Sequence, residues 1–227
     1  MLFSGKAILA LWNDVAPEHE EEYTSWHDGE HLPERMGVSG FRVGRRYVNL
    51  DSSYLRYFTM YEADDLGVFT GEEYVSHLNS PTPWTQKMMP HLRNFRRIVC
   101  EVLLSEGEGV GGAIATVSFE AAEQRDSTQA RELAGKLLGT KGIVGVHLAA
   151  ANSAASELQT KEKMLRQGGK EAWVSTVLLV EGHHLHTVLE SVSKLQDDIR
   201  SALSVRGEME IHGYPLAYLV RSRRGQA

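Results

Sequence analysis

Short apolar runs alternate along the chain with segments of helical spacing, and their order is the same on either side of one polar, glycine-rich stretch. Residues 7–12 (AILALW) form a continuous apolar run of strand length. Pro17 suits the first turn of a helix, and the glutamates at 18 and 20–22 sit where the helix dipole favours anions. This helix is predicted to reach about His31 and to stop near Pro33. Two strand-like segments follow, 40–49 and 54–62, rich in aromatic and β-branched residues and joined by a turn at 50–53. Thr70 and Glu73 have the spacing of a capping box for a helix over 71–79. The SPTP sequence at 80–83 breaks that helix, and Thr82 with Pro83 opens another toward Leu92. A strand over 96–104 completes a βαββαβ order.

The second half repeats the plan. Strands are expected at 113–119, 142–150, 173–180 and 211–220, the last ended by Arg221, Arg223 and Arg224. Helices are expected at 127–138 and 184–203, the latter with Leu185, Val188, Leu189, Val192, Leu195 and Ile199 on one stripe. The polar connection 151–171 has room for a short helix at 156–166. Each half therefore reads as a ferredoxin-like unit, one antiparallel sheet with two helices on one face. The predicted fold is α+β: two tandem ferredoxin-like domains whose sheets pack face to face as an intramolecular α+β barrel. The domains are residues 1–104, carrying the pocket, and 113–227, the packing partner, with 105–112 (SEGEGVGG) as linker.

Composition narrows the function. The 227 residues carry 30 acidic and 24 basic side chains, a net charge of −6, which argues against a nucleic-acid surface. One cysteine excludes an intrachain disulfide framework and a cysteine-rich zinc site. No apolar run is long enough to cross a bilayer, and the N-terminal apolar stretch, interrupted by Lys6, reads as a strand rather than a signal peptide. A cytoplasmic protein without membrane or nucleic-acid partners is the expectation. Of 18 aromatic residues, 14 precede the linker. An aromatic-walled small-molecule pocket is therefore expected in the first half.

The densest chemistry is WHDGEHLPER at 26–35, followed by FRVGRRY at 41–47. His27 and His31 are four apart and share a helix face with Tyr23, while Trp26 and Glu30 form the next stripe. Imidazole and carboxylate together suit general acid–base work near neutral pH, so His31, His27 and Glu30 are the candidate catalytic residues. The alternative is that the histidines only cap the helix. HDGEH also fits the inverted zinc-protease pattern, but Gly29 weakens the helix and no third ligand follows, so no metal is expected. Tyr23, Trp26, Arg45, Tyr47, Tyr57, Tyr61 and Trp84 are the candidate substrate-binding residues; Arg45 is read as holding a carboxylate or enolate oxygen. Arg93, Arg96 and Arg97 form a basic cluster that reads as a solvated face, with anion binding as the alternative. Cys100 reads as a buried small hydrophobe. His77 and His91 read as surface or capping residues, and His183, His184 and His186 as a helix start.

The run EEYTSWHDGEHLPERMGVSGFRVGRRY resembles the helix-one-to-strand-two region of the dimeric α+β-barrel proteins, most of all EthD-like members. The resemblance extends over 7–104, including SHLNSPTPWTQKM, whereas the second half matches by element order only. That superfamily includes antibiotic-biosynthesis monooxygenases that need no cofactor, muconolactone-type isomerases, polyketide cyclases and haem enzymes. The resemblance places the family's helix-end histidine at His31. Here the usual partner subunit is replaced by the chain's own second half, so any site occurs once.

The resulting expectation is a small-molecule enzyme acting on an apolar or aromatic carbonyl, enol or carboxylate compound, by proton transfer or cofactor-free oxygenation. A non-catalytic ligand-binding or stress-response barrel is the alternative. No glycine-rich phosphate motif stands in the right context and no histidine is singled out as a haem ligand, so no cofactor is expected. Free sheet edges leave a homodimer of the tandem unit open.

Overall fold

The computed structural model describes residues 3–122, 127–166, 168–171 and 173–222, with the side chain of residue 171 excepted. Arg223 and Arg224 lie outside the described residues. The first half runs β1 (Ala7–Val15), α1 (Glu20–Trp26), a π-turn (His27–His31), α2 (Leu32–Met36), β2 (Phe41–Val48) and β3 (Tyr57–Ala63). It continues with α3 (Gly67–Thr70), α4 (Glu72–Asn79), α5 (Pro83–Met88) and β4 (Leu92–Gly107). The second half runs β5 (Ala113–Ala121), α6 (Ser127–Leu138), β6 (Ile143–Ala151), α7 (Ser153–Ser156), α8 (Lys161–Leu165), β7 (Lys170–Glu171), β8 (Thr176–Gly182), α9 (Leu185–Lys194), α10 (Gln196–Ala202) and β9 (Val205–Arg221).

The strand order is β4-β1-β3-β2 in the first half and β9-β5-β8-β6 in the second, the same ferredoxin-like order twice. Antiparallel pairing of β2 with β9 and of β4 with β6 joins the two sheets. The eight strands close into one ring, and β7 is a two-residue parallel addition to β4. Closure uses the edges on which a homodimer could have formed. β4 also continues through Gly107, so the first three residues read as linker belong to a strand.

Alternation along the strands sorts side chains into two layers. Ile8, Ala10, Trp12, Tyr47, Phe58, Met60, Ile98, Cys100, Ile114, Val177 and Leu179 fill the barrel interior. The interior also holds a charged cross-brace. Arg45 donates to Glu62 and to Glu181, both at 2.6 Å, and so links the first sheet to the second. Glu181 also accepts from the Gly111 N–H, and its Oε1 lies 3.2 Å from His147 Nε2. These four charged or imidazole side chains are all at most 2% exposed, a placement tolerated only because each has an opposite partner.

Outside the barrel, α6, α9 and α10 cover the second sheet with aliphatic side chains, including Leu133, Leu137, Val188, Val192 and Ile199. The expected helix 184–203 is interrupted at Leu195, which caps α9 and opens α10. Over the first sheet lie α1, the π-turn, α2, α4 and α5. Three local expectations are corrected here. Pro33 does not end the first helix: it sits in the first turn of α2, where its missing N–H is harmless, and the helix continues to Met36. Gly44 on β2 lets α2 approach, since a Cβ there would meet Met36 Sδ at 3.0 Å. Thr70 is not a cap: Gly71 occupies the N-cap of α4, and Glu73 accepts instead from the Ser39 N–H at 3.2 Å. The Thr82 cap does form, accepting from the Thr85 N–H at 3.0 Å. The connection after β6 holds two short helices rather than one, and α8 lies against α4 of the first half.

Candidate functional site

A cleft opens between the first helix and the outer face of the first sheet. Its walls include Leu9, Leu11 and Asn13 of β1, Thr59 and Tyr61 of β3, Trp26, His27, His31, Arg35, Arg97, and Glu162 and Arg166 from the second half. The interior space is about 40 Å³, within about 520 Å³ of empty space that includes the open mouth. As it stands, that interior holds about two or three waters.

The π-turn sets the geometry of the histidines. Leu32 N–H donates to His27 O, five residues back, which widens the helix by one residue for a turn. Gly29 sits inside it, and the polar, weakly helical sequence HDGEH offers little resistance to the wider winding. A five-residue spacing then brings Trp26 against His31, with ring centroids 4.4 Å apart, in place of the four-residue stripe expected from an α-helix. Trp26 is itself fixed by an Nε1–H donated to Thr85 Oγ1 at 3.2 Å.

The two histidines differ in what their nitrogens do. His27 Nε2 lies 3.3 Å from Thr59 Oγ1 and its Nδ1 lies 3.4 Å from Asp28 Oδ1. Asp28 in turn accepts from Arg46 at 2.6 Å. Burial pushes the His27 imidazole down to about 4, against which the Asp28 hydrogen bond acts only in part. His31 Nδ1 is buried and has no hydrogen-bond partner. Burial, then the charges of Arg35, His27 and Arg166, hold the His31 imidazole well below its ordinary value. At neutral pH both rings are neutral, and His31 alone presents a free ring nitrogen to the cleft.

Other polar groups converge on the same space. Tyr61 is 2% exposed, its hydroxyl is buried without a partner, and burial raises its ionisation above that of an ordinary tyrosine. Tyr23 donates to Asn13 Oδ1 at 3.2 Å, and burial pushes it up to about 12. Arg35 pairs with Glu162, which closes the cleft from the α8 side. Lys161 N–H donates to Asn79 Oδ1 at 3.1 Å, which ties α8 to the end of α4.

Of the residues selected from sequence, His31, His27, Tyr23, Trp26 and Tyr61 line this cleft. The others do not. Glu30 turns away from it and accepts from Thr82 Oγ1 at 2.5 Å. Arg45 and Tyr47 point into the barrel instead, because a register shift between Phe41 and Val43 separates them from the face of Phe41. Tyr57 lies beneath Tyr23, ring centroids 4.8 Å apart. Trp84 packs on the first helix and donates to Glu22 at 3.2 Å. His27, Glu30 and His31 therefore do not converge as metal ligands, and among the described residues no group of three or more His, Cys, Asp or Glu is placed to hold a metal ion. Sequence reasoning missed Arg35, Glu162 and Arg166, whose roles arise from the fold of a distant connection. It saw Arg97 but placed it in solvent; Arg96 and Arg97 are 7% and 5% exposed.

No family model matches the chain, and no curated protein matches it. Solved structures do. The chain superposes on an anthrone oxidase-like protein with a TM-score of 0.58 at 12% identity, covering 100% of this chain and 98% of that one. A candidate monooxygenase from Fusobacterium nucleatum subsp. nucleatum gives 0.57 at 13% identity, covering 96% and 95%. Chlorite dismutase from Candidatus Nitrospira defluvii, in complex with imidazole, gives 0.54 at 10%, covering 95% and 92%. The fold is thus the ferredoxin-like α+β barrel of these proteins, matched over nearly the whole chain. No helix among the described residues is long and apolar enough to cross a membrane. With its ring packed against Trp26 at a 33° tilt and about 40 Å³ of interior before it, His31 does not face a slot that fits a haem macrocycle.

Proposed function

We propose that the chain is a small-molecule enzyme whose active site is the cleft beneath the first helix, and that it moves a proton on an apolar or aromatic carbonyl or enol compound. The observation that carries this reading is the buried, unpartnered Nδ1 of a neutral His31 that is itself part of the wall of an aromatic-lined cleft. The neutral imidazole is free to accept a proton at pH 7, and the enolate formed beside it offsets the burial and cationic neighbours that weaken it as a base. Trp26 and Tyr61 supply the flat walls. His27 is bound at both nitrogens and so positions the turn rather than reacting. The base takes the acidic C–H proton next to a carbonyl, and the product is an enolate with an imidazolium beside it. Return of the proton elsewhere gives isomerisation, while reaction of the enolate with dioxygen gives cofactor-free oxygenation. A ring-sized substrate needs more than the interior space and extends into the open mouth of the cleft. The EthD-like kinship and an origin by duplication belong to this reading, supported by the motif run 26–47 and by the strand order common to both halves.

The test is deuterium exchange at the acidic carbon of 2-tetralone, followed by NMR. Wild-type protein is expected to accelerate exchange, and His31→Ala to lower that rate by about 10²–10⁴-fold while 2-tetralone binding changes far less. Equal exchange with both proteins would refute the catalytic role. The small interior favours a second reading, a ligand-binding barrel without turnover; in that case His31→Ala weakens binding and no exchange is catalysed by either protein.

A further inference from the structure

Five arginines are buried among the described residues: Arg35, Arg45, Arg46, Arg96 and Arg97. Four have a carboxylate: Glu162 for Arg35, Glu62 and Glu181 for Arg45, Asp28 for Arg46, and Glu210 for Arg96. Arg97 has none. Its Nη1 donates to the Ser156 carbonyl at 2.7 Å and, at the limit of hydrogen bonding, to the Ala155 carbonyl at 3.4 Å. Its Nη2 is buried with no partner, and the side chain lines the cleft. Removing a cation from water without a counter-ion is costly, and the α7 carbonyls satisfy Nη1 while leaving Nη2 without a partner.

The rest of the lining supports the same sign of charge. Among the described lining residues Glu162 is the one carboxylate beside Arg97, and Arg35 already engages it. The Tyr61 hydroxyl adds a second buried donor without a partner. We propose that Arg97 is the counter-ion of the ligand: the cleft takes an aromatic compound bearing an ionised oxygen, a phenolate or enolate, which completes the hydrogen bonds of Arg97 Nη2 and the Tyr61 hydroxyl. The inference rests on the cleft being the ligand site, as proposed above, and adds the charge of the ligand and the residue that selects it. It gives Arg97 the role expected from sequence for Arg45.

The probes are 4-nitrophenol, whose phenolate is coloured, and its neutral methyl ether 4-nitroanisole. Binding is read by titration of the intrinsic tryptophan fluorescence, and ionisation of the bound phenol by its visible spectrum. Wild-type protein is expected to draw bound 4-nitrophenol toward the coloured phenolate and to prefer it over the ether by about ten- to a hundredfold at neutral pH, the scale of a charge-assisted hydrogen bond. Arg97→Gln is expected to abolish both the preference and the colour shift while leaving the affinity for the ether within about twofold. An Arg97→Gln protein that retains preference and colour overturns the inference, as does a wild-type protein that binds the ether as well as the phenolate, although the cleft then stands as a ligand site. If neither probe binds the wild-type protein, the cleft assignment fails and this inference with it. Should Arg97→Gln not fold, Arg97→Lys decides: a point charge in place of the planar fork is expected to cut the preference several-fold, and an undiminished preference refutes the role.

Discussion

The two halves share a strand order and differ in what lies between helix and sheet. In the second half that layer is aliphatic, with Leu133, Ala134, Leu137, Val188 and Val192 at 0–3% exposure and no charged group among them. In the first half the same layer contains His27, His31, Arg35, Tyr61 and Arg97, with hydrogen-bonding capacity left over. A backbone of one topology thus supports a solid layer on one side and a polar cleft on the other. The difference shows where stability has been given up, since unsatisfied buried polar groups oppose folding and persist most readily where a ligand uses them.

This contrast can be broken in four ways. The largest effect is expected for His31→Ala, a loss of about 10²–10⁴-fold in catalysed deuterium exchange, with far-UV circular dichroism unchanged. Next, Leu133→Ala in the solid layer is expected to cost about 2–5 kcal/mol in urea unfolding, because its neighbours cannot collapse into the hole, with exchange activity per folded molecule retained. Third, His27 binds its proton near pH 4 in the folded chain and near 6.5 when unfolded. The unfolded chain therefore takes up more protons as pH falls. The stability from neutral, buried His27 is fully present above about pH 6.5 and drains away toward pH 4, a loss on the order of 3 kcal/mol. His31 acts in the same direction. Urea midpoints at pH 7 and pH 5 should differ accordingly, and His27→Gln should flatten the difference. Smallest, Tyr61→Phe removes a buried hydroxyl with no partner and is expected to raise stability by up to about 1 kcal/mol while weakening 4-nitrophenol binding. A destabilised Tyr61→Phe would mean that the hydroxyl has a structural partner.

Much of the architecture was legible because it rests on periodicity. The strands, the helix Ser127–Leu138 and the Thr82 cap follow from apolar spacing and local hydrogen-bonding chemistry. That the first helix carries His27 and His31 against the sheet of the first half was legible for a similar reason: histidine beside tryptophan inside an amphipathic pattern is local information. What was not legible depends on winding or on distant contacts. A π-turn changes a four-residue stripe into a five-residue contact, which moves Glu30 away and brings His31 onto Trp26. A register shift in β2 sends Arg45 into the barrel, where two glutamates from different sheets await it. Glu162 and Arg166 reach the first half from a polar connection that carries no periodic signal of its destination. Arg97 read as solvated because charge runs usually are, and α7 with the paired strand β7 makes it buried.

The most direct test of the first-half cleft is a crystal structure of the chain soaked with 4-nitrophenol. The expected result is density for one aromatic ring against Trp26, bordered by His31 and with an oxygen within hydrogen-bond distance of Arg97 Nη2. Ligand density confined to the barrel interior or to the helix layer of the second half, with His31 Nδ1 still enclosed by protein, would contradict the assignment.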